Sequence, residues 1–413
     1  MQAADLRPVP PAERTQSGID LFLIFAGANI VATTLQVGAA LAALGPGDAF
    51  GLFLVGSVVG AALVAALAPV GSRLGVPSIV AARAALGWRG AQALAVLLYV
   101  TNFAWIAVNN VIAASICARA FGGAEHAWAV GLGLLATAIV ARGPRAVGVA
   151  DRFAVPALLV AGTLMTVALL RLPVLSMAAT APDSRALLRG LDVVVGYQVS
   201  WLLMFADYPR YTASARTSAT SVFAGLALTS LWLMPIGWMA ARVAGSDDPG
   251  AMVAASGVGV WGAVLITLAT LTTNFVNIYM SGLAWKSLVP RARDSAVIWS
   301  IGLIGTALSL FSTTWLTRYA DFTVVLGAVF VPVGGVLLAH YMLLRRTPDV
   351  DALYARSGPY GRGGATAIGV TATLMGVAAF WLCRGWGGTV PSLLVAVLAY
   401  LLLSLLRNGD RPN

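Results

Sequence analysis

Long apolar runs alternate with short polar segments along the whole chain. Runs of roughly 17–25 apolar residues are long enough to cross the hydrocarbon core of a bilayer as α-helices. The pattern predicts an all-α integral membrane protein with twelve transmembrane helices. The predicted spans are 19–43, 49–70, 91–117, 127–141, 154–172, 190–206, 220–244, 258–283, 296–314, 321–343, 365–383 and 389–406. The fourth is short and interrupted by glycines.

The composition supports a membrane domain and no soluble one. Hydrophobic residues make up 59% of the chain and charged residues 10%, with a mean hydropathy of +0.86. Soluble domains carry about 25% charged residues. We predict a disordered cytoplasmic tail over residues 1–17, which begin with the proline-rich "MQAADLRPVPPAE" and contain no cleavable signal peptide. A transporter core over 18–343 follows, and 344–413 hold a cytoplasmic loop, two further helices and a short tail.

The basic residues are distributed unevenly between the two sides of the predicted topology. If the amino terminus is cytoplasmic, 19 of the 26 lysines and arginines fall in inside segments and seven in outside segments. Such an excess on the inside is typical of multi-pass proteins. We therefore expect both termini to be cytoplasmic and the protein to lie in the cell membrane. No basic patch is interleaved with soluble aromatic structure, so nucleic-acid binding does not explain the net charge of +10.

Four of the predicted spans carry polar stripes. In the eighth, "ATLTTNFVN" (269–277) places hydroxyl and amide groups at helical spacing inside an apolar segment. The first, third and sixth spans show related patterns. The stripes comprise Asn29, Thr33 and Gln36; Tyr99, Asn102, Trp105 and Asn109; Tyr197, Gln198, Ser200 and Trp201; and Thr270, Thr273, Asn274, Asn277 and Ser281.

These stripes have two interpretations. Serine, threonine and asparagine often form ordinary interhelical contacts in membranes, each worth roughly 1 kcal/mol. Amides and aromatic rings converging on one cavity would instead suit a small, planar, neutral and polar ligand, because amides read its edge and rings stack on its faces. For any single residue the two interpretations are about equally supported, whereas the four stripes together favour a ligand site.

The ionisable and sulfur-containing residues give little sign of other chemistry. All sixteen aspartates and glutamates, Asp192 and Asp207 included, are predicted in loops, tails or helix ends. Proton-driven carriers commonly use buried carboxylates or histidines. His126 is predicted in an outside loop and His340 near the cytoplasmic end of the tenth span. Cys117 and Cys383 are expected to be free thiols, the two forming no disulfide.

A cation site is conceivable without any carboxylate. Na⁺ can be held by neutral hydroxyls and by backbone carbonyls of an unwound membrane helix. Adjacent Thr272 and Thr273, together with carbonyls near Gly27 and Ile30, could supply such ligands.

Several segments together resemble the nucleobase–cation symporter family, the cytosine, hydantoin and allantoin permeases. The resemblance extends over about 18–362 and is carried by "FAGANIVATTLQVGA", "GVPSIVAARAALGWRGAQ", "GYQVSWLLMFADYPRY", "TTNFVNIYMSGL" and "VFVPVGGVLLAHYMLLRR". It implies a LeuT-like fold of two inverted five-helix repeats with broken first and sixth helices, plus two further helices. The substrate would lie between helices one, three, six and eight.

Carried over by position, the resemblance assigns roles to individual residues. It implies that Trp105 stacks on the substrate ring and that Asn102 and Asn274 are polar contacts. It also implies a sodium site of Thr272 and Thr273 with the carbonyls of Gly27 and Ile30. The complete predicted substrate set is Trp105, Asn102, Gln198, Tyr197, Asn274 and Asn29.

Two positions depart from the family pattern. Gln198, preceded by Tyr197, stands where cytosine and hydantoin permeases place an aromatic residue. The sequence of this segment resembles the purine–cytosine and hydroxymethylpyrimidine branch more than the hydantoin carriers. His340 stands where the family usually has aspartate before tyrosine. We interpret that aspartate as a structural contact at the helix end, so we do not expect the change to histidine to alter coupling.

The expected function is import of a nucleobase or related pyrimidine or purine by a monomeric Na⁺-coupled symporter, with Na⁺ as coupling ion and no other cofactor. The alternative is a proton-coupled carrier for allantoin or another small polar heterocycle. A channel would need a continuous polar pore, and an enzyme would need a nucleophile–base set or metal ligands. The sequence shows neither pattern, so a non-enzymatic carrier is expected.

Overall fold

The computed structural model describes residues 6–142, 156, 159–176, 182–289, 291–361 and 363–409, and this part of the chain is helical apart from one isolated antiparallel bridge between Thr15 and Thr212. The helices of its first half are α1 (Gly18–Asn29), α2 (Ala32–Ala39), α3 (Pro46–Leu74), α4 (Ser78–Phe121), α5 (Glu125–Ala141), α6 (Leu159–Leu170), α7 (Ser184–Val199) and α8 (Ala215–Ala244). Those of its second half are α9 (Pro249–Ala255), α10 (Gly259–Leu288), α11 (Asp294–Leu308), α12 (Ser312–Thr317), α13 (Tyr319–Leu338), α14 (Val350–Tyr354), α15 (Gly363–Cys383) and α16 (Thr389–Gly409).

Each predicted span corresponds to a helix or to a bent pair of helices. Within the described residues, eight helices are long and apolar enough to cross a membrane, and the pair α1–α2 makes a ninth. The remaining three spans correspond to the shorter apolar helices α5, α6 and α11. The start of the predicted fifth span lies outside the described residues. Three of the arginines counted in the inside segments, Arg145, Arg152 and Arg411, also lie outside them. The protein is therefore a multi-pass membrane protein.

The first span is broken in its middle. Ser17 and Asp20 form a capping box that starts α1, and α1 ends at Asn29. Ile30 and Val31 leave the helical conformation, and α2 then continues at an angle of 56° to α1. A break of this kind inside a membrane exposes backbone groups that must find partners within the protein.

The sixth span changes its helix type rather than breaking at its glycine. The α-helix α7 passes at Ser200 into a 3₁₀ segment, Ser200–Met204, which is followed by turns. Gly196 stays helical, and a Cβ atom there would stand 2.0 Å from the carbonyl oxygen of Thr323. Its role is thus close packing of α7 against α13.

The third span is the second part of α4. Gly87 (φ 67°, ψ 177°) interrupts the helix, and this left-handed backbone favours glycine because it has no Cβ. The residues before Gly87 form a helix distinct from the long one that begins at Trp88 and reaches Phe121. The predicted ninth span, 296–314, runs past the end of α11 at Leu308, where the chain turns before α12.

The helices pack as two groups around the broken first span. α8 packs along α1, α2 and α3, and α3 also contacts α7. In the other group α4 packs along α10 and α5, and α11 contacts α5 and α4. Buried aliphatic and aromatic side chains fill the space inside and between these groups.

The amino-terminal segment is held against the helices, in contrast to the predicted disordered tail. The Val9 amide donates to the carbonyl of Gly75 (2.8 Å), and the Arg14 guanidinium donates to the carbonyls of Ser72 and Arg73 at the end of α3. The Gln16 amide donates to the carbonyl of Tyr211. A cation near a helix carboxyl end is favourable because the last carbonyls lack helical partners. Residues 1–5 lie outside the described part.

Two buried polar contacts fasten α16 to the core. Asp192 lies within α7, not at a helix end as the sequence predicts, and only 3% of it is exposed. Its carboxylate accepts hydrogen bonds from the backbone amides of Gly388 and Thr389 and from the Thr389 hydroxyl. In the middle of α16, the Tyr400 hydroxyl lies 2.7 Å from His340 Nδ1. Both residues thus serve helix packing.

Replacing Asp192 by alanine should destabilise the protein by about 1–3 kcal/mol, because three donors at the start of α16 lose a charged acceptor. The matched control is Asp321→Ala, which removes an exposed ion pair with Arg189 (2.6 Å) worth at most about 1 kcal/mol. The melting temperatures of the purified proteins in detergent measure both effects. Equal melting temperatures for the two variants would contradict the proposed capping role of Asp192.

Candidate ligand and cation site

A cavity lies in the middle of the membrane domain, between spans one, three, six and eight. It contains about 400 Å³ of empty space, a figure that includes space open to solvent. None of the described residues lining it is charged, so the cavity suits a neutral ligand. The residues that line the cavity are Ala28, Thr33, Asn102, Trp105, Asn109, Tyr197, Ser200, Trp201, Met204, Thr273 and Asn277.

The lining residues follow helical stripes. On the sixth span Tyr197, Ser200, Trp201 and Met204 are spaced i, i+3, i+4 and i+7. Asn102, Trp105 and Asn109 of α4 show an i, i+3, i+7 pattern, and Thr273 and Asn277 of α10 are four residues apart. Residues at these intervals share one face of a helix. Each of the three spans therefore presents one face to the cavity.

Aromatic rings border the cavity on two sides. Trp105 makes edge-to-face contacts with Tyr197, Tyr319 and Phe322, at centroid distances of 5.9, 6.4 and 5.0 Å. Trp201 contacts Phe25 edge-on at 6.3 Å, and Phe25 contacts Tyr208 in the same manner. Phe25 and Tyr208 lie toward the side of the membrane that carries the amino-terminal segment. Two separate aromatic groups thus flank the space.

Three amide atoms on the lining residues are buried and have no hydrogen-bond partner. They are Asn102 Nδ2, Asn109 Oδ1 and Asn277 Nδ2. Asn109 Nδ2 donates to the carbonyl of Trp105 at 2.9 Å, and since a carbonyl can only accept, the other amide atom of Asn109 must be the acceptor oxygen. Unpaired buried polar atoms cost free energy unless a ligand or water satisfies them. These three amide atoms of lining residues therefore retain hydrogen-bonding capacity that a ligand or water would satisfy.

Three predicted substrate residues do not line this cavity. The Asn29 amide group donates to the hydroxyls of Thr229 and Ser230, both at 2.8 Å, on α8. Asn274 Nδ2 donates to Asn110 Oδ1 of α4 at 2.7 Å. Gln198 Nε2 lies 3.4 Å from the carbonyls of Ser57 and Leu226. All three bond between helices, which is the packing interpretation of polar residues in membrane spans.

Gln198 and Asn274 miss the cavity for a simple geometric reason. Successive residues of an α-helix point about 100° apart. Gln198 follows Tyr197, and Asn274 follows Thr273, so in each pair only the first residue faces the cavity. Eight further residues reach it that the predicted substrate set leaves out, and six of them belong to the polar stripes of the sequence: Thr33, Asn109, Ser200, Trp201, Thr273 and Asn277. The sequence signal that could have found these six residues is their helical spacing.

Of the four predicted cation ligands, Thr273 lines the cavity, whereas Gly27 and Ile30 lie at the end of α1 and Thr272 precedes Thr273 on α10. Thr273 lines the cavity together with Ala28, next to Gly27 at the end of α1. The hydroxyls of Thr272 and Thr273 donate to the carbonyl of Ala269, at 2.8 and 3.3 Å, which leaves oxygen lone pairs free to coordinate a cation. Ile30 stands in the break, where helical carbonyls lose their partners. The donor set is chemically suited to Na⁺, and its assignment remains a prediction.

The family model described as "Permease for cytosine/purines, uracil, thiamine, allantoin" matches residues 8–402. The chain belongs to this permease family. The cytosine permease of Escherichia coli O157:H7 is 25% identical over 409 residues, with 97% of this chain and 94% of that protein covered.

Two solved transporters show the fold. Mhp1, a nucleobase-cation-symport-1 family transporter in a closed conformation with bromovinylhydantoin bound, matches with a TM-score of 0.82 at 17% identity, covering 98% of this chain and 96% of its own. A Na⁺-coupled sialic acid symporter matches with a TM-score of 0.60 at 11% identity, covering 95% and 91%. The permease thus has the predicted LeuT-like fold, with α1–α6 in the first repeat, α7–α13 in the second, and α15 and α16 as additional helices.

Asn274 and Asn277 should differ in their effect on stability without any ligand. Asn274→Ala removes a buried hydrogen bond to Asn110 and should destabilise the ligand-free protein by about 1–3 kcal/mol. Asn277→Ala removes an unpartnered buried amide group and should be neutral or stabilising. Thermal melts of both variants in detergent test this. A loss of stability in Asn277→Ala as large as that in Asn274→Ala would show that Asn277 is a packing residue.

Proposed function

We propose that the permease is a Na⁺-coupled symporter that imports a cytosine-like nucleobase by alternating access, in the cell membrane and with both termini cytoplasmic. The observation that carries the proposal is the uncharged cavity with two tryptophans and three unpartnered amide atoms. Such a cavity suits a flat heterocycle with both donors and acceptors on its edge. The family match and the cytosine permease relative support the same substrate class.

Each lining group has a proposed role in recognition. Trp105 and Trp201 supply ring faces for stacking. Asn109 Oδ1 accepts a hydrogen bond from a ring or exocyclic N–H of the base. The amide nitrogens of Asn102 and Asn277 donate to a carbonyl oxygen or ring nitrogen. A nucleobase such as cytosine offers all of these partners on one planar ring.

Coupling to Na⁺ follows from the position of the cation ligands. The ion would bridge the break of the first span, near Gly27 and Ile30, to Thr272 and Thr273 on α10. Thr273 also lines the ligand cavity, so ion and base favour the same arrangement of the two helices. Each ligand then raises the affinity for the other by an equal factor.

The buried carboxylates favour this proposal over proton coupling. Asp192 is occupied at the start of α16, and Asp207 lies beside the backbone amide of Ser78, 3.4 Å away, at the end of the sixth span. Neither belongs to the cavity lining. Transport without catalysis agrees with the relatives, which are permeases.

Uptake of radiolabelled cytosine into proteoliposomes tests the proposal. An inward Na⁺ gradient should accelerate uptake by at least tenfold over an equal choline gradient, because Na⁺ and base bind cooperatively. An inward pH gradient without Na⁺ should have little effect. Stimulation by the pH gradient alone would replace sodium coupling with proton coupling, and failure of unlabelled uracil, hypoxanthine, hydroxymethylpyrimidine, allantoin and cytosine to compete would refute the substrate class.

Variants separate the lining residues from their neighbours. Trp105→Ala, Asn109→Ala and Asn277→Ala should each weaken cytosine binding by roughly tenfold or more, the effect of losing one stacking or hydrogen-bonding partner. Gln198→Met, which changes a residue outside the cavity, is the control and should retain affinity. Cytosine-induced shifts in melting temperature measure the binding. Retained affinity in Asn109→Ala and Asn277→Ala would remove both amides from the site.

A further inference from the structure

Two buried tyrosines hold the break of the first span. The Tyr197 hydroxyl lies 2.6 Å from the Thr34 hydroxyl, and the Tyr319 hydroxyl donates to the backbone carbonyl of Thr33 at 2.8 Å. Each tyrosine is only 2% exposed. Tyr197 comes from the sixth span and Tyr319 from the start of α13. Two other spans therefore determine the shape of the unwound turn.

The direction of the hydrogen bonds follows from the partners. The Thr34 hydroxyl donates its proton to the carbonyl of Asn29 at 2.5 Å, because a carbonyl can only accept. The same hydroxyl must then accept the proton of Tyr197. The resulting chain runs from Tyr197 through Thr34 to Asn29, the last residue of α1. It fixes the peptide group between Asn29 and Ile30, and with it the direction of the carbonyls at the break.

The other end of Tyr197 belongs to the ligand cavity. Its ring lines the cavity and packs edge-on against Trp105 at a centroid distance of 5.9 Å. An occupant stacked on Trp105 would therefore also press on the ring of Tyr197. The hydroxyl proton is already committed to Thr34, so Tyr197 is not available as a hydrogen-bond donor to a ligand.

We propose that Tyr197 is a positioning residue that transmits ligand occupancy to the cation-binding turn of the first span through Thr34 and the Asn29 carbonyl. Its ring senses the occupant of the cavity, and its hydroxyl aligns the backbone whose Ile30 carbonyl is a proposed cation ligand. The link to base and Na⁺ rests on the proposed function. The chain of hydroxyls itself does not, because it is present in the protein alone.

The test uses variants that remove single hydroxyls in the full-length protein. Tyr197→Phe keeps the ring and removes the donor, and Thr34→Val removes the relay with little change in shape. Thr34→Ser keeps the relay hydroxyl and should behave as the parent protein. Tyr99→Phe is the matched control, because the ring of Tyr99 packs against Phe103 and Trp285, away from the break.

The first measurement is hydrogen–deuterium exchange of the backbone amides of residues 29–35 without any ligand. Exchange should be faster in Tyr197→Phe and in Thr34→Val than in the parent, Thr34→Ser or Tyr99→Phe. The double variant should be no faster than either single variant, because both remove the same chain. Unchanged exchange in Tyr197→Phe would overturn the proposal irrespective of what the protein transports.

The second measurement is the cytosine dissociation constant with and without NaCl. In Tyr197→Phe the factor by which Na⁺ tightens cytosine binding should fall roughly two- to tenfold, the equivalent of one buried hydrogen bond. Affinity without Na⁺ should fall by a smaller factor than affinity with Na⁺. An equal loss of affinity with and without Na⁺ would make Tyr197 a direct ligand contact and overturn the positioning role. If the parent protein shows no cytosine binding or no Na⁺ effect, the proposed function fails, and the exchange result alone decides the proposal about the hydroxyl chain.

Discussion

The central constraint on this molecule is that backbone polar groups inside a membrane must be satisfied by the protein itself. The first span breaks at Ile30 and Val31 in the middle of the helix domain, where water is scarce. Side-chain hydroxyls bond the backbone on both sides of the break, with Thr34 donating to the carbonyl of Asn29 at the end of α1 and Tyr319 to that of Thr33 at the start of α2. The fold around the break therefore has to bring the sixth span and α13 close to it.

Asn29, Asn109, Asn274 and Asn277 each keep one buried amide atom without a partner, and their place in the fold separates the packing role from the ligand role. Asn29 and Asn274 reach partners on neighbouring helices, and these contacts hold α1 to α8 and α4 to α10. Asn109 and Asn277 keep one buried amide atom each without a partner on the wall of the cavity. A protein that leaves such atoms unpaired gives up some stability, and a bound ligand restores it. The difference lies in the surroundings, since all four residues are asparagines in membrane spans.

The aromatic residues show a similar division of labour. Gln198 of the sixth span points between α3 and α8 instead of into the cavity. Trp201, one helical turn later, supplies a ring to the cavity wall and contacts Phe25 beyond it. Trp201 therefore contributes both to the wall of the ligand cavity and to the aromatic group that contains Phe25.

The sequence by itself determined the number of spans, the polar faces and the four spans that meet at the cavity, because apolar length and helical spacing are local properties. The family resemblance added the fold. Only the tertiary structure decided which member of each stripe faces the cavity, because adjacent residues such as Thr273 and Asn274 point about 100° apart and their neighbours differ. It also placed Asp192 inside a helix and bound Val9 and Arg14 to the end of α3. These contacts join segments far apart in the chain, and no local pattern specifies them.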